Sequence, residues 1–140
     1  MDIDDEFVER HTTAADNQVF AARFGLPTDE WMVQEWEWIV SEPELVEPLV
    51  EGYRKGTFTD SQKYLLMKII IDSCNLAARA CSQIFQTEPW RQVLAWLRAD
   101  LPLHGYTVCC FASLDTDEPD EMWDIAPAMR GILASRPLRQ

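Results

Sequence analysis

Residues 59–85 read TDSQKYLLMKIIIDSCNLAARACSQIF, and this stretch narrows the choice of fold more than any other. Met67, Ile70, Ile71, Cys74, Ala77, Ala78, Cys81, Ile84 and Phe85 recur at three- and four-residue spacing. That stripe is wider than a surface helix needs. Thr59 followed by Gln62 supplies a capping box at its start. The spacing predicts a central helix over about 60–86 with most of its girth covered. A helix covered that way needs neighbours on several sides. The expected fold is therefore mainly α: a single-domain bundle of five or six helices spanning residues 1–140. The length supports a real core, since a chain of 140 residues buries roughly 65–70% of its unfolded surface.

The neighbours are legible from their caps. Thr13 with Asp16 starts a helix near residues 13–24, and Gly25 followed by Pro27 stops it. A second begins after Pro27 and carries Trp31, Met32, Glu35, Trp36, Ile39 and Val40 at helical spacing, with Trp38 one residue off. Ser41 and Glu44 form a capping-box pattern for a third, with Pro48 kinking it or shifting its start. A fifth runs from Thr87 and Pro89 to Leu101, closed by Pro102. Residues 1–10 are acidic and read as a disordered N-terminus.

Beyond residue 105 the texture changes. YTVCCFASL, residues 106–114, is β-branched, aromatic and short, and reads as a strand. A lone strand needs a partner, and EMWDIA at 121–126 is the nearest. The expectation is a small β-hairpin over about 106–126, with DTDEPD as its turn. Pro127 then opens a last helix with Met129, Ile132 and Leu133 facing inward.

Charge decides which partners to consider. The net charge is −12, and residues 29–51 hold eight acids and no base. Six more acids fall between 115 and 124. Such a field repels phosphates and anionic lipid and favours a basic protein. So neither nucleic acid nor membrane is an expected partner. No apolar run of 18 residues exists, and the acidic MDIDDEFVER start is unlike a secretory signal. A cytoplasmic protein with reduced cysteines is expected.

Catalytic and metal chemistry find little footing. An EF-hand alignment of Asp115 and Asp117 puts Asp120 where glycine belongs and Ala126 where the bidentate glutamate belongs. Cys74 and Cys81 lie two helical turns apart, roughly 10.5 Å, too far for a disulfide or a shared zinc. The cysteines read as buried apolar-like side chains. His11 and His104 stand apart from any ligand spacing, and no nucleophile or phosphate-loop motif appears. No cofactor, metal or catalytic residue is assigned, and the expectation is a non-enzyme. Lys68, Asp72, Asn75 and Arg79 share one face of the central helix. That face reads as ordinary solvated surface, or alternatively as a ligand groove near Asp72 and Arg79.

Tryptophan is the remaining signal. Trp31 and Trp38 point one way around a helix and Trp36 departs, so at least one belongs near the surface among Glu30, Glu35 and Glu37. An indole beside carboxylates suits an anchor for a basic partner. The candidate partner surface is Glu30, Glu35, Trp36, Glu37, Trp38, Glu42, Glu44, Asp115, Asp117 and Asp120.

QKYLLMKIIIDS paired with FASLDTDEPDEMWDIAPAMRGIL resembles small uncharacterised bacterial proteins, including immunity proteins of polymorphic toxin systems. The resemblance covers the C-terminal half. It implies a cytoplasmic, acidic, helical inhibitor that neutralises a cognate toxin domain by direct protein–protein interaction. The alternatives are a small-ligand or catalytic helical domain and a DNA-mimicking regulator. A homodimer is left open.

Overall fold

The structure is a computed structural model that describes residues 7, 9, 10, 12–27 and 36–136, with the backbone alone at 38 and 39. Its elements in chain order are α1 (Ala14–Phe24), α2 (Trp36–Val40), α3 (Val46–Lys55), α4 (Asp60–Ala80), α5 (Glu88–Ala99), α6 (Leu101–Phe111) and α7 (Ala126–Ala134). Short 3-10 turns fill residues 43–45, 82–86 and 119–121. The mainly α reading stands. Among the described residues there is no strand, so the 106–126 hairpin does not form.

The helix α4 sits at the centre. Thr59 and Gln62 exchange the two bonds of a capping box at 3.2 and 3.1 Å. From Tyr64 to Asn75 every residue is buried, because α1, α2, α3 and α6 all pack against it. It ends at Ala80 rather than near 86. Cys81 turns extended, and the 3-10 turn that follows brings Phe85 edge-on to Trp90 at 5.4 Å. Thr87 both accepts from the Trp90 N–H and donates to the Ile84 carbonyl, closing that turn onto α5.

The flanking helices follow their signals in part. Thr13 and Asp16 form the expected box on α1, and Gly25 takes a left-handed φ of 67° to end it. Residues 28–35 lie outside the described residues, so the second helix is seen only from Trp36. Ser41 does not cap the third. Its hydroxyl donates to the Glu37 carbonyl at 2.6 Å, and α3 starts at Val46, with Pro48 in its first turn where no N–H is missed.

The largest correction is α6. Asp100 breaks the chain, and Pro102 opens α6 instead of closing α5. Leu101, Leu103, His104, Gly105, Thr107, Val108 and Phe111 are all buried there. An apolar run buried on most sides hides its own period, which is why it imitates a strand. Gly105 belongs to this packing, since a Cβ on it collides with the Phe7 ring. Phe7 therefore packs on the core, inside the stretch expected to be disordered; residues 1–6 and 8 lie outside the described residues. The helix after Pro127 forms as expected, with Met129, Ile132 and Leu133 buried. Buried side chains from α1 to α7 join in one cluster.

Ile70 is fully buried in that cluster. Ile70→Asp should place an unpaired charge there and cost about 4 kcal/mol or more. Loss of the cooperative thermal transition measures it. A variant that melts as the parent does, with unchanged circular dichroism, removes α4 from the core.

Candidate functional site

The acid-rich segment 113–125 is a loop held from three sides. Ser113 ends α6 with a φ of 53°. Its hydroxyl accepts from the Trp123 N–H at 3.1 Å, which folds the loop back on itself. Arg130 of α7 reaches beneath it. The guanidinium donates to the carbonyls of Ala112 at 2.7 Å, of Thr116 at 2.6 Å, and of Ser113. Within the loop, the Thr116 hydroxyl donates to Glu121 at 2.9 Å and accepts from the Glu118 N–H at 3.1 Å. At its far end the Ile125 N–H donates to Asn75 Oδ1 on α4 at 3.3 Å. Nearly all of these bonds serve backbone, so the carboxylates are left pointing outward.

Asp115, Asp117, Glu118, Asp120, Glu121 and Asp124 are all exposed. Trp123 stands among them at 44% exposure, with its ring 5.5 Å from Phe111. Between residues 119–124 on one side and Asn75 and Arg79 on the other lies a cleft of about 470 Å³. Trp123 is the residue that sequence reasoning missed as a site member. The signal was present, since it is the one indole inside the run of six acids. Reading the segment as a strand concealed it.

The other proposed surface fares differently. Trp36 is a core residue at 1% exposure, and its Nε1 donates to the Pro27 carbonyl at 2.7 Å. It cannot anchor a partner. Glu37 pairs with Lys68 at 3.7 Å, with side chains 15% and 11% exposed. That ion pair faces inward, so Glu37 is structural too. Glu42 and Glu44 are exposed. Glu30 and Glu35 lie outside the described residues, as does the Trp38 side chain.

The α4 polar face is not solvated surface. Lys68, Asp72 and Asn75 are buried, each beneath a different segment. Lys68 meets Glu37, Asp72 lies under Ser41, and Asn75 holds Ile125. Burial raises the Asp72 pKa, and the neighbouring Ser41 side chain partly offsets this. Arg79 is exposed and opens on the cleft, whereas Asp72 does not line it. The expected pairing of Asp72 with Arg79 in one groove is therefore replaced by Asn75 with Arg79.

The cysteines and histidines also shift. Cys74 is buried, and desolvation pushes its thiol up to about 12; Cys81 and Cys110 are exposed. Among the described residues no three His, Cys, Asp or Glu side chains converge on a metal position. His11 lies outside the described residues. His104 is not alone: its Nε2 shares a hydrogen bond of 3.0 Å with the Tyr53 hydroxyl. This joins α3 to α6 beside a second cleft of about 400 Å³ lined by Tyr53, Lys63, Trp96 and Asp100. Burial first, then the Lys63 and Arg10 charges, lower the His104 pKa to about 4. Burial first, then Asp100 and Asp60, raise Tyr53 to about 12. Both groups stay neutral near pH 7, the opposite of a pair tuned for proton transfer. No helix among the described residues is long and apolar enough to cross a membrane. No protein-family model matches the chain, and neither a curated protein nor a solved structure matches it.

Two measurements test this geometry. Arg130→Met removes the donors to three carbonyls and should cost about 2 kcal/mol. Amide exchange at 114–124 should quicken while helical circular dichroism holds; unchanged protection means the arginine is not the staple. For His104 the folded state resists protonation, so stability is full above the unfolded value of 6.5 and is lost as pH falls towards 4. Between pH 7 and 5 this amounts to about 2 kcal/mol. The raised pKa of Asp72 acts in the opposite direction, because the folded state holds that proton more readily. Denaturant titrations should show the loss in the parent and its absence in His104→Asn.

Proposed function

We propose that this is a non-enzymatic acidic binding protein that engages a basic protein partner through the 115–124 loop, with Trp123 as anchor. The observation that carries the reading is Trp123 itself, 44% exposed and surrounded by exposed carboxylates on a loop stapled by Arg130. A large aromatic left in solvent is stabilised by burial against a partner, and its acidic setting selects a basic one. Pre-ordering of the loop lowers the entropy cost of docking. Glu42 and Glu44 form a second acidic contact. Within this reading the partner is a toxin domain, and the protein is a cytoplasmic immunity protein that neutralises it. The resemblance of residues 62–73 and 111–133 to small uncharacterised bacterial proteins, immunity proteins among them, supports that choice.

A DNA mimic fits less well, because an indole placed centrally among the carboxylates interrupts a phosphate-like charge array.

Kinetics on the partner captured from the source cell test the reading. Asp115→Lys with Asp120→Lys should slow association and flatten its dependence on salt. Glu42→Lys with Glu44→Lys should do the same to a smaller degree. Trp123→Ala should leave association nearly unchanged and speed dissociation, at a cost of about 2 kcal/mol or more. If neither reversal alters association at low salt, the acidic surface serves solubility and the reading fails.

A further inference from the structure

We infer that the cleft between the end of α3, the first turn of α4 and the end of α5 binds a small zwitterion with a flat apolar body, of which an aromatic amino acid is the simplest example. This site shares no lining residue with the cleft at the acidic loop, and it does not depend on the reading given to that loop.

Its floor is aromatic. Tyr53 and Trp96 line it, with ring centroids 4.5 Å apart. Tyr53 is held in place by its 3.0 Å hydrogen bond to His104, which is fully buried. Both rings are only part-buried, so they keep apolar surface that a ligand ring can cover. The volume of about 400 Å³ is in the range of small-molecule pockets. An ordered floor lowers the entropy cost of binding.

The two ends of the cleft carry opposite, unpaired charges. Asp100 holds the N-cap position of α6, where a carboxylate ordinarily accepts from the first N–H groups of the helix, yet it makes no such bond. Pro102 has no N–H to donate. The N–H groups of Leu103 and His104 go instead to the Asp100 carbonyl, at 3.1 and 3.2 Å. The Asp100 side chain is left to the cleft that this residue lines. Lys63, half-buried, lines the same cleft from α4. Among the described residues neither Lys63 nor Asp100 has an ion pair, with the other or with a third group. The remaining lining charge, Arg54, is already bonded to Glu51 and Glu88.

The helix ends add to this polarity. Asp100 stands at the negative end of α5, and Lys63 at the positive end of α4. An anion alone gains Lys63 but faces Asp100, and a cation alone meets the reverse. A molecule with both an ammonium and a carboxylate satisfies the two together. Its ring then has Tyr53 and Trp96 to cover.

The test is a titration of the full chain with L-phenylalanine, followed by NMR at the Trp96 indole and the Tyr53 ring. Three companion probes each lack one feature: N-acetyl-phenylalanine the ammonium, phenylalanine amide the carboxylate, and glycine the ring. Phenylalanine should shift both signals saturably, with a Kd of about 1 mM or tighter. Each companion should bind at least ~5-fold more weakly.

Two variants assign the poles. Lys63→Gln should weaken phenylalanine ~5-fold and leave phenylalanine amide as it was, because the amide has no carboxylate to lose its partner. Asp100→Asn should weaken phenylalanine ~5-fold and leave N-acetyl-phenylalanine unchanged. Neither change removes an ion pair from the fold, so both proteins should melt as the parent does. Trp123→Ala should bind phenylalanine as the parent does. The inference is overturned by the absence of a saturable shift, by any companion binding as tightly as phenylalanine, or by variants that weaken every probe alike or none. A loss in Trp123→Ala moves the ligand to the acidic loop and overturns it as well.

Discussion

A helix enclosed on every side needs partners for the polar groups it carries, and α4 meets most of that demand with neighbouring segments, leaving the Tyr64 hydroxyl and Asn75 Nδ2 without a hydrogen-bond partner. Lys68, Asp72 and Asn75 lie on one face, three or four residues apart. Glu37, Ser41 and Ile125 each come to that face in turn. Ser73, on another side, accepts from the Glu42 N–H at 3.2 Å. Removing one member of the Lys68–Glu37 pair strands the other in a medium where that costs several kcal/mol. The polar residues of α4 thus set where the 36–42 segment and the C-terminal loop attach. The two acid-rich stretches of the chain dock on one helix, about 10 Å apart along its axis.

What the sequence disclosed and concealed follows the same division. Caps are local, and the Thr13–Asp16 and Thr59–Gln62 boxes formed where their spacing placed them. The stop at Gly25 and the inward face of α7 are local too. What failed needed knowledge of distant chain. The α4 polar stripe looks solvated until α2 and the loop cover it. Trp36 looks exposed until the Pro27 carbonyl supplies its acceptor. The α6 segment lacks a readable period because neighbours reach it from most sides. The Tyr53–His104 bond spans 51 residues, which no spacing rule detects.

The candidate site was legible in composition and not in geometry. The run of acids was visible, and Asp115, Asp117 and Asp120 are exposed as expected. Trp123 stood in that run as well, but reading 121–126 as a strand hid its exposure, because a strand and a looped turn present position 123 to different surroundings. Arg130 was equally hidden. Its role depends on α7 folding back beneath the end of α6, a contact between helices rather than a motif.

The basic residues explain why the loop keeps its field. Lys68 is committed to Glu37, Arg54 to Glu51 and Glu88, and Lys55 to Glu51. Arg130 lies 3.9 Å from Asp117, yet its donors go to three backbone carbonyls. A carbonyl takes hydrogen bonds without cancelling the negative charge of its neighbours. The guanidinium therefore fixes the loop's shape while leaving most of the carboxylates of 115–124 uncompensated. Like charges held close together on a hydrogen-bonded turn repel one another, and water around these exposed groups screens most of that repulsion. On the proposed reading, a basic partner docking among them would relieve what remains of that repulsion.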